Sequence, residues 1–193
     1  MNNLLGVITP PPDINNLLGV ILCGGQSRRM GRDKGLMQKD GIPWALHVAA
    51  RLKTLNIPVV FSINELQRTD YSAQLPGHWL IFDDAALNIG GPLKGLVSVH
   101  HVYPGYDIFL LACDMLDMDE AAIAGLMDAW RSGGADFYAY REEDFYQPLC
   151  AIYTAAGLQT AGDNDSLQTL LRQGRTAALP VLRTEAFKNY NTL

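Results

Sequence analysis

The sequence predicts an α/β fold: a mostly parallel central sheet with helices on both faces, of the Rossmann-like kind. Three observations carry that expectation. Short apolar runs alternate with longer amphipathic ones from Leu17 onward, the pattern of strands joined by crossover helices. The first run, Leu17 to Cys23, is apolar throughout, as in a strand covered on both faces. A glycine pair, Gly24-Gly25, follows it at once, and ligands in such sheets bind where strands end.

The elements follow in order. Residues 1–14 read as an appended arm, because Asn2-Asn3-Leu4-Leu5-Gly6-Val7-Ile8 returns as Asn15-Asn16-Leu17-Leu18-Gly19-Val20-Ile21 and the first copy runs into Pro10-Pro11-Pro12. Three prolines disfavour helix and central strand alike. Residues 15–193 form one domain, since no linker or shift in composition divides them. Pro43 begins a helix through Trp44, Leu46, Val48, Ala49 and Leu52, with proline in the first turn. Pro58 to Ile63 and Trp79 to Phe82 read as strands, Gly91-Pro92-Leu93 opens a second helix, and Asp107 to Ala112 is the clearest central strand. Asp117 to Glu120 has capping-box spacing with Asp117 as the cap, leading a helix through Trp130. A short helix over Ser166 to Gln173 stops at Gly174, and strand-like pieces lie at 135–140, 148–153 and 177–182.

Composition narrows the function classes. Of 193 residues, 48% are hydrophobic and 18% charged, an ordinary globular balance. A net charge of −5 gives no global field for nucleic acid or anionic membranes, and neither is expected as a partner. No apolar run approaches the roughly 20 residues of a spanning helix, and no secretory signal is read at Met1-Asn2-Asn3-Leu4. Cys23, Cys113 and Cys150 are odd in number and far apart, so neither a disulfide framework nor a CxxC metal site is expected. The cytoplasm is the expected compartment.

Against that acidic background, the segment after the first strand stands out: Leu22-Cys23-Gly24-Gly25-Gln26-Ser27-Arg28-Arg29-Met30-Gly31-Arg32-Asp33-Lys34. Four of the fifteen basic side chains lie within residues 28–34, opposed there only by Asp33. Adjacent glycines permit a tight turn whose N–H groups approach an anion. Charge-assisted hydrogen bonds to a triphosphate contribute about 1.5–3 kcal/mol each. A P-loop is excluded because Met30 stands where the motif needs its second glycine, and the dinucleotide pattern GxGxxG is absent.

Leu22-Cys23-Gly24-Gly25-x-Ser27-x-Arg29-Met30-Gly31-x-Asp33-Lys34 resembles the signature loop of nucleotidyltransferases that attach a nucleotide to a phosphorylated acceptor. With its Met-Gly pair and Asp-Lys, it is most similar to the MobA-like molybdenum cofactor guanylyltransferases. Further matches follow in chain order: Gly91-Pro92-Leu93-x-Gly95-Leu96, Cys113-Asp114, Pro148-Leu149-x-Ala151-x-Tyr153 and Asn189-x-Asn191-Thr192. The resemblance spans 17–192 and implies a Rossmann-like nucleotidyltransferase fold.

Position by position, it implies that Leu22, Cys23 and Gly24 contact the nucleotide through backbone, with Gly25, Ser27 and Arg28 in the same loop. Lys34 falls on the phosphate-binding lysine, Asn64 and Asp84 on guanine-nucleotide positions, and Asp114 on the magnesium-binding aspartate. Gly91, Pro92 and Leu93 form a further nucleotide-side motif, and Lys34 with Arg28 or Arg29 would hold the departing phosphates. The implied substrates are GTP and molybdopterin, the implied ion is Mg2+, and proteins that deliver or receive the cofactor are admitted as partners. The reaction is attack by the acceptor's terminal phosphate on the α-phosphorus of GTP, releasing pyrophosphate. It calls for in-line positioning and charge neutralisation rather than a protein nucleophile. Alternatives are transfer of CMP or another nucleotide to a different phosphorylated acceptor, or GTP and cofactor binding without turnover. Leu116, where most members carry proline, and a chain ending at Leu193 motivate the last. Asp83 reads as a solvated neighbour of Asp84, Arg141 to Asp144 as an exposed turn, His100 and His101 as helix-end positions, and Trp44 and Trp130 as core.

Overall fold

The computed structural model describes residues 16–24, 33–159, 161, 164–187 and 190. The arm expected at 1–14 lies outside the described residues. The central sheet has seven strands: β1 Leu17–Leu22, β4 Val59–Ile63, β5 Trp79–Phe82, β6 Asp107–Ala112, β7 Phe137–Glu142, β8 Phe145–Tyr153 and β9 Thr176–Pro180. Their spatial order is β5-β4-β1-β6-β8-β7-β9. β1 pairs in parallel with β4 and β6, β4 with β5, and β7 with β9, whereas β8 is antiparallel to both β6 and β7. The expected mostly parallel sheet is therefore what forms, with β8 alone reversed.

β1 shows why an uninterrupted apolar run makes a buried strand. Successive side chains leave opposite faces, so Leu17 and Ile21 join one hydrophobic cluster while Leu18, Val20 and Leu22 join the other. The first cluster is closed by α1 Trp44–Lys53, α2 Arg68–Gln74 and α4 Glu120–Ser132; the second by α3 Gly91–Val102, α5 Ala155–Leu158 and α6 Leu167–Gln173. α3 starts where the sequence places it. Gly91 takes φ +62° there, a left-handed conformation that glycine adopts without a Cβ penalty.

Several boundaries differ from expectation. The cap of α4 is Asp119, which accepts from Ala122 N–H at 2.8 Å; Asp117 instead accepts from the Tyr190 hydroxyl. Trp44 is fully buried as expected, while Trp130 is only partly covered and donates its indole N–H to Asp107 at 2.7 Å. A two-stranded hairpin, β2 Gln38–Lys39 with β3 Ile42–Pro43, and the polar helix α2 have no counterpart in the sequence reading. The turn between β7 and β8 is Glu143-Asp144, with Glu143 at φ +50°; Arg141 and Glu142, expected in that turn, instead end β7 and pair with Tyr146 and Phe145. Among the described residues no helix is long and apolar enough to cross a membrane.

Candidate active site

Strand order reverses its direction of growth at β1: β4 and β5 lie on one side of it and β6 on the other. In open α/β sheets such a switch point leaves a crevice at the carboxyl ends of the strands. Here the crevice lies between Cys23, leaving β1, and Cys113-Asp114, leaving β6. Cys113 N–H donates to Leu22 C=O at 3.1 Å, which ties the two strand ends together.

The loop backbone begins differently from the anion cradle the sequence suggests. Cys23 and Gly24 N–H both donate to Ser62 C=O, at 2.9 and 3.1 Å, so these amides continue the sheet toward β4. Leu22 itself is buried in the core. Gly25, Ser27, Arg28 and Arg29 lie outside the described residues.

At the far end of the loop the structure brings together two residues the sequence singles out separately. Lys34 Nζ lies 2.9 Å from Asp114 Oδ2, with the side chains 19% and 13% exposed. Partial burial screens this pair less than an exposed one, at the cost of desolvating both charges. Lys34 opens a 3-10 turn, Lys34–Leu36, capped by Asp33, which accepts from Gly35 N–H at 3.0 Å. The Asp33 carboxylate also accepts from the Tyr71 hydroxyl at 2.7 Å and from the Gln67 side-chain amide. Burial, with Cys23 and Cys113 next, pushes the Tyr71 phenol far up, so it stays protonated and donates. A Cβ on Gly35 would collide with the Tyr71 hydroxyl; only glycine lets this turn sit against α2. Asp33, read from sequence as the lone acid among bases, is thus the anchor of Lys34.

Asp114 sits in a turn fastened from two sides. Arg51 donates to Leu116 C=O, and Tyr190 N–H donates to Asp114 C=O at 3.2 Å. Leu116 is buried, so leucine at this position is absorbed by the core and the carboxylate still reaches the crevice. The Tyr190 ring stands edge-on to Trp44 at 6.3 Å, which brings the end of the chain to the Asp114 turn. The Asn189, Asn191 and Thr192 positions lie outside the described residues.

The nucleotide positions on the other strands divide. Asn64 is the cap of the 3-10 turn Glu65–Gln67: its side chain accepts from Gln67 N–H at 3.2 Å, and its own N–H donates to Gln67 Oε1 at 2.9 Å. Asp84, after β5, accepts from Ala86 N–H at 2.9 Å and faces His101 Nδ1 at 3.1 Å. Those contacts, the Ala86 amide foremost, hold its carboxyl below the usual range. His101 has a carboxylate partner that its sequence neighbours do not supply, and His100 beside it is buried. Asp83 is partly buried rather than solvated, and burial pushes its carboxyl up against the opposing charge of Lys94. Gly91 and Pro92 are exposed at the start of α3, whereas Leu93 packs into the core, leaving backbone as its route to a ligand.

Cys23, Cys113 and Cys150 are free and buried. The hydrogen bond to Cys23, and then burial, push the Cys113 thiol well up, which makes it a poor nucleophile. A cavity of about 430 Å3 at the β7–β8 turn is lined by Arg141, Asp144, Tyr146 and Arg172. Both guanidiniums there are engaged, Arg141 with the Asp144 carboxylate and Arg172 with the Asp144 carbonyl.

No group of three or more His, Cys, Asp or Glu side chains positioned for a metal occurs among the described residues. Asp114 nonetheless fits magnesium, which is content with one or two carboxylates plus phosphate oxygens and water. Its carboxylate is a hard oxygen donor at the crevice, and its Oδ1 receives no hydrogen bond among the described residues.

Comparison with known proteins agrees with this architecture. Residues 19–179 match the MobA-like NTP transferase domain. A molybdenum cofactor guanylyltransferase of Pseudomonas entomophila is 36% identical over 180 residues, covering 88% of this chain and 87% of that protein. One from Pseudomonas putida is 29% identical over 163 residues, covering 80% and 82%. Among solved structures, the molybdopterin-guanine dinucleotide biosynthesis protein A of Archaeoglobus fulgidus superposes with a TM-score of 0.72 at 20% identity, covering 91% of this chain and 92% of that one. A Methanothermobacter nucleotidyl transferase gives a TM-score of 0.72 at 12% identity, covering 91% of both. With residues 19–179 matched and a relative 36% identical over most of both chains, the chain belongs to the MobA-like NTP transferase family.

Proposed function

We propose that the protein transfers GMP from GTP to the terminal phosphate of molybdopterin, forming the guanine dinucleotide cofactor and releasing pyrophosphate. The observation that carries this reading is the Lys34–Asp114 pair at the β1–β6 crevice. It sets a cation and a carboxylate side by side where a polyphosphate and its counter-ion would lie. Relatives named molybdenum cofactor guanylyltransferase, up to 36% identical among those compared, support the choice of nucleotide and acceptor.

The chain's own residues then act as follows. Lys34, held by the turn that Asp33 caps, releases Asp114 and takes the phosphate oxygens of GTP. Arg28 or Arg29 adds charge to the departing pyrophosphate. Asp84, its carboxylate oriented by Ala86 N–H and His101, offers an acceptor to the N–H edge of guanine. Asp114 would hold magnesium, which supplies neutralisation of the phosphoryl charge. No side chain acts as nucleophile, since the acceptor phosphate brings its own oxygen. Three free thiols suit a reducing compartment, and the cytoplasm is the proposed setting.

The test is incubation of the protein with labelled GTP, magnesium and molybdopterin. Pyrophosphate release that depends on the acceptor is expected; none under any acceptor concentration refutes the assignment. Thermal shift with GTP, CTP, ATP and UTP separates the cytidylyl alternative, because a ligand at 100-fold its dissociation constant adds about 2.7 kcal/mol.

A further inference from the structure

Gln67 engages its backbone N–H and both polar atoms of its side chain. Its N–H and Oε1 form the capping box with Asn64 at 3.2 and 2.9 Å. Its side-chain Nε2 donates to Cys23 C=O at 3.1 Å and to Asp33 Oδ2. The amide orientation is set by chemistry: Asn64 N–H needs an acceptor, while a carbonyl and a carboxylate both need donors. One NH2 group therefore spans from the chain leaving β1 to the residue preceding Lys34. Tyr71, fully buried on the adjacent helix, holds the other oxygen of the same carboxylate.

We propose that Gln67 is a positioning residue for nucleotide binding: it clasps Cys23 to Asp33 and thereby fixes where Lys34 presents its ammonium to the polyphosphate. The inference rests on the proposed GTP reading. Asp33 caps the 3-10 turn locally and Tyr71 ties it to α2, while the Gln67 amide is what hydrogen-bonds it to the backbone leaving β1. The Gln67 amide supplies the crosslink, and the capping box fastens it to the end of β4. Left to Asp33 alone, Lys34 could swing with its turn, and the ordering cost would fall on ligand binding.

The informative variant is Gln67→Glu. It keeps an oxygen for Asn64 N–H, so the capping box survives, but turns the clasp into a carboxylate facing a carbonyl and a second carboxylate. Affinity for Mg·GTP is measured by calorimetry on wild type, Gln67→Glu, Lys34→Ala and the double variant, with melting temperature and circular dichroism alongside. Gln67→Glu is expected to weaken GTP binding at least about tenfold, the scale of one charge-assisted contact. In the Lys34→Ala background it should change affinity by less than about threefold, because coupled residues are not additive. Should Gln67→Glu not fold, Tyr71→Phe keeps the ring and removes only the second hold on Asp33; a loss of affinity that vanishes without Lys34 is again expected.

Native-like binding by folded Gln67→Glu, or an equal loss with and without Lys34, overturns the clasp. The Lys34→Ala measurement separates the two readings. GTP binding that falls in Lys34→Ala but not in Gln67→Glu defeats this inference alone, and a wild type that binds no GTP defeats both.

Discussion

Two side-chain pairs stand at the same end of the sheet and differ in their surroundings. Lys34–Asp114 joins the Lys34–Leu36 turn to the end of β6 with side chains 19% and 13% exposed, while Asp84–His101 lies beyond β5 with its members 36% and 50% exposed. The first is sheltered, and its lysine sits on a backbone tied down by Asp33, Gln67 and Tyr71. The second is open to water and joined to one turn by the Ala86 amide. Sheltered groups interact through a lower effective dielectric, so the same charge does more there. Under the proposed function this contrast divides the labour: the inner pair would handle phosphoryl charge and the outer pair would read the ligand's base.

Removing the inner carboxylate breaks that contrast most. Asp114→Asn should cut kcat for guanylyl transfer by about 100- to 1,000-fold, the size of losing one preorganised electrostatic group, while GTP affinity falls less. Steady-state kinetics would show it, and loss confined to KM would move Asp114 out of the reacting centre. Lys34→Ala should weaken Mg·GTP binding by about 10- to 100-fold, read by calorimetry. On the outer pair, Asp84→Asn should narrow the preference for GTP over ATP by up to about tenfold, while His101→Ala costs about threefold or less because an exposed contact contributes little. A larger loss at His101 than at Lys34 would invert the proposed division.

The smallest expected effect is on stability. Burial raises the Asp83 carboxyl in the folded state, so the fold favours its neutral form. That contribution is present below the unfolded pKa of about 3.9 and is lost as pH rises through the folded value. Asp83→Asn should therefore melt slightly higher than wild type at pH 7, with the gap closing in acid. A lower melting point for the variant at pH 7 would mean that Lys94 outweighs desolvation.

What could be seen in the sequence depended on whether the signal was local. β5, β6 and the start of α3 are as expected, because each is a dense apolar run or a Gly-Pro start. The candidate site residues were legible because Cys113-Asp114 directly follows an apolar run and Asp33-Lys34 closes the basic segment after the first strand. The pairing of Lys34 with Asp114 was not, since it depends on β1 and β6 being neighbours across 80 residues. α2 was missed because Tyr71 is its only buried side chain, and a polar helix has no apolar stripe to detect. One missed signal was available: Asn64-Glu65-Leu66-Gln67 has the spacing of a capping box, and it would have pointed to Gln67. With Asp117 and Asp119 both before the helix, spacing alone favoured the wrong cap; the hydrogen bond to Ala122 decides it.

Under the proposed function the inner pair exchanges its own contact for a nucleotide and its ion. Calorimetric titration of GTP with and without magnesium, into wild type and Asp114→Asn, tests this directly. Wild type should bind GTP more tightly with magnesium present, and the variant should lose most of that difference. An equal magnesium effect in both proteins, or none in either, would contradict the assignment of Asp114 and Lys34 to the phosphoryl centre.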